Sequence, residues 1–374
     1  MLQTFMLYTF IEIMALVLFS YGCRRNIKGM IDSRKKICII YSFILLLCVI
    51  IFRNTNVGTD YNDYLNAIRR VQTDNMYSSD EQWLSVGFRL TIKVISMMSF
   101  NDSIVPFIVV GLTATITLYC FYKAFYELSS YPPLSLYIFI SFCLYFQIMN
   151  QFRQMFAIAV SFFAYKYIDK SIVKYMLLIL IAALFHSSAI IMIPLYFVVK
   201  FEINYKIIIT YITMSTISLL CYDKILILLS KTTYGSTYIG WSKYNGSFET
   251  SVIINLFVRI ILLVISMGVY RRIVDKKPKS KILYHMIIIC TILQIFTVFS
   301  YIFGRITTYF YVYYILLLPD VIKEYRKFFA VNSKWMYDLI VYLTIFLYEC
   351  VYYFSQGAVS GGYDVYSTIF SSIH

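Results

Sequence analysis

Residues 172–199 read IVKYMLLILIAALFHSSAIIMIPLYFVV, an almost unbroken apolar run with one histidine near its middle. As one helix the run would rise about 42 Å at 1.5 Å per residue. That exceeds the ~30 Å hydrocarbon core of a bilayer, although tilt absorbs such an excess. The alternative is two short helices that fold back near His186. The choice sets the parity of everything that follows. A single crossing carries Lys200, Lys206 and each later basic cluster to the far side. A fold-back keeps three clusters on the side of the earlier basic loops: Lys200 to Lys206; Arg271, Arg272, Lys276, Lys277, Lys279 and Lys281; and Lys323, Arg326, Lys327 and Lys334. Basic loops gather on the cytoplasmic side of membrane proteins, so the pattern predicts helices over 174–185 and 187–199. Each covers only about 20 Å, which puts the turn at His186 below the outer surface, against protein or a wet cavity.

The rest of the chain has the same character. Of 374 residues, 60% are hydrophobic and 14% charged, against roughly 25% charged in an average soluble domain. Apolar runs recur without the strict alternation of an outer-membrane barrel, and a lipid-buried backbone must satisfy its own hydrogen bonds. The expected fold is therefore an all-α, polytopic membrane bundle. The net charge of +14 would point to nucleic acid in a soluble protein. Here most of it falls in short loops on one side, and no nucleic-acid partner follows. The eight cysteines lie in or beside apolar runs without CxxC spacing, so neither a metal site nor a disulfide framework is implied. The first run, Thr4 to Gly22, has its basic residues after it, which favours a retained helix over a removed signal peptide.

Working outward from the fold-back, the pattern predicts further spans over about 4–22, 37–52, 104–121, 134–149, 155–168, 207–221, 251–270, 282–303, 306–319 and 336–354. With the two short helices this makes about twelve transmembrane helices in a single integral membrane domain covering 1–374. Residues 53–103 are expected as an outer loop plus an interfacial helix near 83–100, in which Arg89 and Lys93 share one side. Residues 222–250 are expected as an outer loop, and the tail 355–374 to lie outside.

Under this topology Arg53, Asp60, Arg153, His186 and Arg305 all fall on or just below the outer face. Charge at membrane depth is costly and faces a cavity or a partner, so a shared outer-face cavity is the economical expectation. The stretch Arg53-Asn54-Thr55-Asn56-Val57-Gly58-Thr59-Asp60 offers a guanidinium fork and a tight turn with amides suited to phosphate oxygens. An Arg–Asp pair that merely caps a helix is the alternative. Asn150, Arg153 and Gln154 share a face if their turn is helical, with Gln147 extending it inward; a plain polar turn would read the same. His186 is either a satisfied interior histidine or a general base. Arg305 either marks a helix end or holds an anion. No GxGxxG, GxxxxGK[ST] or HExxH motif occurs, so chemistry here would need an already activated substrate arriving through the lipid.

These pieces resemble, in order, the EpsG family of bacterial exopolysaccharide polymerases, related in role to Wzy-type polymerases. The matching residues are Phe52-Arg53, Val57-Gly58-Thr59-Asp60-Tyr61 and Tyr64; Gly87-Phe88; Asn150 to Gln154 with Ala157; Ala182 to Ala189 ending at Pro194; and Arg305 with Tyr309. Ser85 stands where the family pattern has an acid, and Glu81 lies one helical turn earlier. The resemblance implies a metal-independent and cofactor-free glycosyl transfer. A chain on a polyprenyl diphosphate would be passed to a hydroxyl of the next lipid-linked oligosaccharide repeat unit. Arg53, Arg153 and Arg305 would bind the diphosphate, with Gly58, Thr59, Tyr64, Asn150, Gln154 and Tyr309 in support. His186 or Asp60 would take the proton. Tyrosines, Trp83 and Trp241 would stack on sugars, and 222–250 would act as lid or guide. Membrane lipid, a flippase and a chain-length regulator are the further partners implied, in the bacterial cytoplasmic membrane with the site facing the periplasm or exterior. A lipid-linked oligosaccharide flippase and a membrane O-acyltransferase are the competing readings.

Overall fold

Apolar runs too long for strands and free of alternation fold as helices throughout the computed structural model. It describes residues 1–24, 33–73, 84–98, 101–231, 250–300, 302–357 and 361–372. Among the described residues the extended backbone pairing is one isolated antiparallel bridge, Arg53 with Thr368.

The first half comprises α1 (Leu2–Gly22), α2 (Ser33–Ile51), α3 (Tyr61–Thr73), α4 (Val86–Met97), α5 (Val105–Leu128), α6 (Pro132–Ser141), α7 (Leu144–Asn150), α8 (Phe152–Ala164) and α9 (Ile172–Phe185). The second comprises α10 (Met192–Val198), α11 (Tyr205–Leu220), α12 (Tyr222–Ser230), α13 (Thr250–Met267), α14 (Tyr270–Val274), α15 (Ser280–Thr297), α16 (Ile302–Tyr311), α17 (Tyr314–Tyr325) and α18 (Lys334–Tyr352). Local chemistry explains several ends. Ser171 and Asn204 accept from the amides of Lys174 and Ile207 and so cap α9 and α11. Pro132 and Pro133 start α6, where a missing amide costs nothing.

The fold-back at His186 is present. His186 is extended between α9 and a 3₁₀ turn over Ser187–Ile191. Beyond it the chain returns along α9: the Tyr175 hydroxyl donates to the Met192 carbonyl at 2.8 Å, and the Tyr175 and Tyr196 rings lie 5.4 Å apart. A straight helix would separate those two residues by about 31 Å.

The loops placed together by charge parity meet at one end of the bundle. Lys279 donates to the Tyr165 carbonyl at 3.0 Å, Lys276 pairs with Glu324 at 2.9 Å, and Lys277 pairs with Asp320 at 2.6 Å. His285 bonds the Phe201 carbonyl at 2.8 Å, tying in the 200–206 loop. Lys166 pairs with Glu127 at the end of α5, again at 2.6 Å.

Two predicted spans are broken. Where one was expected over 134–149, α6 and α7 bend by 54° at Phe142–Cys143, and Cys143 takes a left-handed φ of 58°. The spans expected over 282–303 and 306–319 are redivided, since α15 ends at Thr297 and α16 and α17 bend by 50° at Val312–Tyr313. The two breaks face each other, with Phe142 stacked on Tyr311 at 5.3 Å.

Among the described residues four helices are long and apolar enough to cross a bilayer, or six if each bent pair is one span, and four shorter apolar helices accompany them. That is a multi-pass membrane architecture, with fewer full-length helices than the dozen expected. α11 buries no side chain at all, as suits a helix whose solvent is lipid.

The opposite end is more ordered than expected. Part of the stretch read as outer loop is α3, whose Tyr61, Tyr64, Leu65, Ala67, Ile68 and Val71 are buried. This 3.6-residue stripe lies within a segment that is polar on average. With α4, the start of α5 and Phe152 it forms a second, smaller apolar core. The tail, expected to lie outside, is also more than a free end: residues 361–369 are stitched to residues 52–59, part of the stretch expected on the same face. The segment 222–250 begins as α12, and Glu81, Trp83, Trp241 and residues 232–249 lie outside the described residues.

Candidate functional site

Arg53 follows α2, and its side chain turns inward. It is fully buried. Nε donates to the Val57 carbonyl at 3.2 Å, Nη2 to the Met149 carbonyl at 2.9 Å, and Nη1 to the Ile50 carbonyl. The guanidinium lies 3.8 Å from the centre of the Tyr61 ring. All three nitrogens are thus used within the protein, joining the end of α2, the following loop and the end of α7. This arrangement clamps backbone across three segments, and no ion pair joins Arg53 to Asp60 among the described residues.

The amides of the Gly58 turn are also committed. Gly58 N donates to the Gly362 carbonyl at 2.7 Å and Thr59 N to the Gly361 carbonyl at 3.2 Å. Gly58 has φ of +100°, and a Cβ there would stand 3.0 Å from the Met149 carbonyl oxygen, so glycine is required twice over. Asn150 completes the junction: its Oδ1 accepts from the Asp60 amide and from the Thr59 hydroxyl, both at 2.9 Å. The Thr59 hydroxyl is also 3.2 Å from Asp60 Oδ1. Asp60 remains half-buried.

Arg153 lies in the first turn of α8 and is 2% exposed. Its Nε donates to the Tyr64 hydroxyl at 3.4 Å, and its guanidinium lies 5.2 Å from the Tyr64 ring and 5.9 Å from the Phe88 ring. The small core holds this aromatic cradle: Phe152 packs on Tyr64 at 4.1 Å and on Phe88 at 5.6 Å. Gly87 lets α4 approach α9 so closely that a Cβ there would meet Leu184 at 2.8 Å. The two predicted motifs around Gly87 and His186 are therefore in backbone contact.

His186 is 4% exposed. Its Nδ1 is 2.6 Å from the Ser188 hydroxyl, which donates to the Tyr309 hydroxyl at 3.1 Å. Gln154 Nε2 donates to the Arg305 carbonyl at 2.7 Å, which ties α8 to α16. The fold thus gathers the buried Arg153, His186, Tyr309, Gln154 and Tyr64 and the half-buried Arg305 into one polar group. Asp60, Thr59, Gly58 and Asn150 form a second group, joined to the first through α3 and the α7–α8 turn. Chemically, the first group joins an imidazole positioned by a hydroxyl pair to the helices that carry two arginines.

Ser188 was quoted in the sequence pattern but given no role; its two-residue offset from His186 across a 3₁₀ turn is the signal that could have found it. Other buried polar groups had no such signal. In the α6–α7 region Ser141 donates to Glu349 at 2.9 Å and approaches Glu12 at 3.5 Å. Arg259 of α13 lies 4.6 Å from the Tyr311 ring. Among the described residues no cluster of three or more His, Cys, Asp or Glu side chains is placed to hold a metal ion.

A family model described as "EpsG family" matches residues 36–368 of the chain. No curated protein and no solved structure matches it.

Proposed function

The chain belongs to the EpsG family, a family of polysaccharide polymerases, and from that premise we propose that it joins polyprenyl-diphosphate-linked oligosaccharide repeat units. The observation that carries this reading is the joining of the elements that bear Arg153, His186 and Arg305: Gln154 beside Arg153 bonds the Arg305 carbonyl, and Ser188 links His186 to Tyr309 one turn along the helix of Arg305. In the proposed step the acceptor sugar hydroxyl forms a new bond to the anomeric carbon of the donor. The bond from that carbon to the diphosphate oxygen breaks, and its electron pair leaves with the lipid diphosphate. Arg153 and Arg305 stabilise the charge that develops there. The acceptor proton passes to His186, whose orientation is held by Ser188 and Tyr309. His186 is preferred to Asp60 because it belongs to the same group as the arginines. Asn150 and Thr59 tie down the Asp60 turn, which is read as a wall of the site. Arg53 supports that wall from behind.

In this proposal the basic end of the bundle faces the cytoplasm and the His186 end the periplasm or exterior. The shorter apolar helices complete the crossings toward about twelve, and the site opens to a cavity at the outer face. A flippase and a chain-length regulator are the natural partners of such a reaction.

The test is to incubate the purified protein with a lipid-diphosphate-linked repeat unit and separate the products by chain length. A ladder is expected from the unaltered protein, and none from Arg153→Ala, Arg305→Ala or His186→Ala at preserved melting temperature. Translocation of unpolymerised substrate would instead favour the flippase. A normal ladder from all three variants would remove the site assignment.

A further inference from the structure

Two adjoining cavities lie at the other end of the bundle, where the basic loops meet. One, of about 480 Å³, is polar and is lined by Ser20, Cys23, Arg24, Ser129, Ser130 and Tyr131, among others. The second, of about 500 Å³, runs up between α1, α6 and α18 past Leu16, Val17, Tyr137, Tyr342 and Phe346 to Ile13 and Glu12. Ser20, Arg24, Tyr131 and Pro133 line both, so the polar mouth opens directly into the apolar groove. Each volume falls in the range of ordinary ligand sites, about 300–1,000 Å³.

The mouth is built for an anion. Arg24 makes no ion pair among the described residues. Lys35 stands nearby, 5.6 Å from the same Tyr21 ring that Arg24 approaches at 6.0 Å. The Ser130 hydroxyl oxygen is buried and has no hydrogen-bond partner among the described residues. Ser129 Oγ accepts from the Tyr131 amide at 3.1 Å and donates to the Ser135 hydroxyl at 2.7 Å, whose own proton goes to the Ile315 carbonyl at 2.8 Å, so Ser129 shapes the mouth and Ser130 supplies its free hydroxyl. A guanidinium and an uncommitted hydroxyl donor suit phosphate oxygens. The groove's length identifies what carries the phosphate. From Arg24 to Ile13 along α1 is about 17 Å, close to one leaflet's share of a ~30 Å hydrocarbon core. Its wall is open to lipid at Ile13 and Val17, which are 53% and 60% exposed.

We propose that this groove and mouth bind one anionic phospholipid from the leaflet at the basic end, with an acyl chain along α1 and its phosphate on Arg24 and Ser130. This site is separate from the His186 group and does not depend on the function proposed for it.

The test is native mass spectrometry of the delipidated full-length protein in detergent, titrated with dioleoyl phosphatidylglycerol or dioleoyl phosphatidylcholine. The expected result is a one-to-one phosphatidylglycerol adduct that survives activation better than the phosphatidylcholine adduct. The paired change Arg24→Ala with Ser130→Ala should weaken it about tenfold, the size of one lost charge-assisted contact. Val17→Trp should exclude the lipid by filling the groove from its exposed wall. Both variants should keep the lipid-free melting temperature, since Arg24 and Val17 are exposed and the Ser130 hydroxyl bonds no protein group among the described residues. Equal retention of the two lipids, or unchanged binding in both variants, overturns the proposal. Displacement by inorganic phosphate at comparable concentration would make the mouth a free-anion site, and preferential binding of polyprenyl phosphate would make the groove a substrate site; either result also overturns it.

Discussion

Replacing Arg53 with lysine separates two roles that its sequence position leaves equal. In the structure Arg53 donates from three nitrogens to the carbonyls of Ile50, Val57 and Met149. A lysine ammonium is a point donor without the planar fork, and from the same Cα it can satisfy one of these carbonyls. Two buried acceptors then lose their partners, at about 1–3 kcal/mol each. The expected loss is therefore about 2–6 kcal/mol, before any lost stacking on Tyr61. With an ordinary unfolding entropy of about 2.1 cal/mol/K per residue, this corresponds to a fall of roughly 3–8 °C in melting temperature. The assay is thermal unfolding of purified Arg53→Lys in detergent, followed by tryptophan fluorescence or monodispersity, beside Arg153→Ala as comparison. Arg53→Lys should melt early and lose polymer in proportion to the folded fraction, whereas Arg153→Ala should lose polymer without melting early. An Arg53→Lys protein of unaltered melting temperature that makes no polymer would refute the clamp and return Arg53 to the diphosphate.

Further outcomes follow from the same geometry. Gly87→Ala places a Cβ 2.8 Å from Leu184 and should part α4 from α9, lowering both thermal stability and polymer yield; an unaffected variant would mean that this contact does not position the site. Tyr309→Phe removes the hydroxyl that accepts from Ser188 and should slow polymerisation about tenfold, the value of one hydrogen bond, with folding intact. Undiminished turnover would detach Tyr309 from the orientation of His186. Ending the chain after Gly357 takes away the backbone partners of Phe52, Asn54, Gly58 and Thr59. Limited proteolysis should then cut near residues 53–60 faster than in the full chain, and an unchanged cleavage pattern would show that the tail does not secure the loop.

The helical class and the turn at His186 were legible because both follow from local chemistry: apolar run length, backbone satisfaction and the sidedness of lysine and arginine. The set of polar residues near the site was legible for a related reason, since charge is expensive within an apolar chain and stands out there. Their roles were less so. Arg53 and Arg153 look alike in sequence, yet one is consumed by carbonyls from residues as distant as Met149 while the other rests in an aromatic cradle beside His186. That difference depends on which backbone groups the packing leaves in need of a donor. α3 escaped notice because its buried stripe lies in a polar segment, and its partners are α4, α5 and Phe152. The docking of the tail on residues 52–59 rests on backbone hydrogen bonds, which carry no side-chain signature. By itself the sequence determined that this chain is a multi-pass helical protein that doubles back at a histidine. Only the tertiary structure decided that Arg53 is spent on backbone carbonyls while Arg153 lies among aromatic rings, because burial and hydrogen-bond partnership are set by residues far away along the chain.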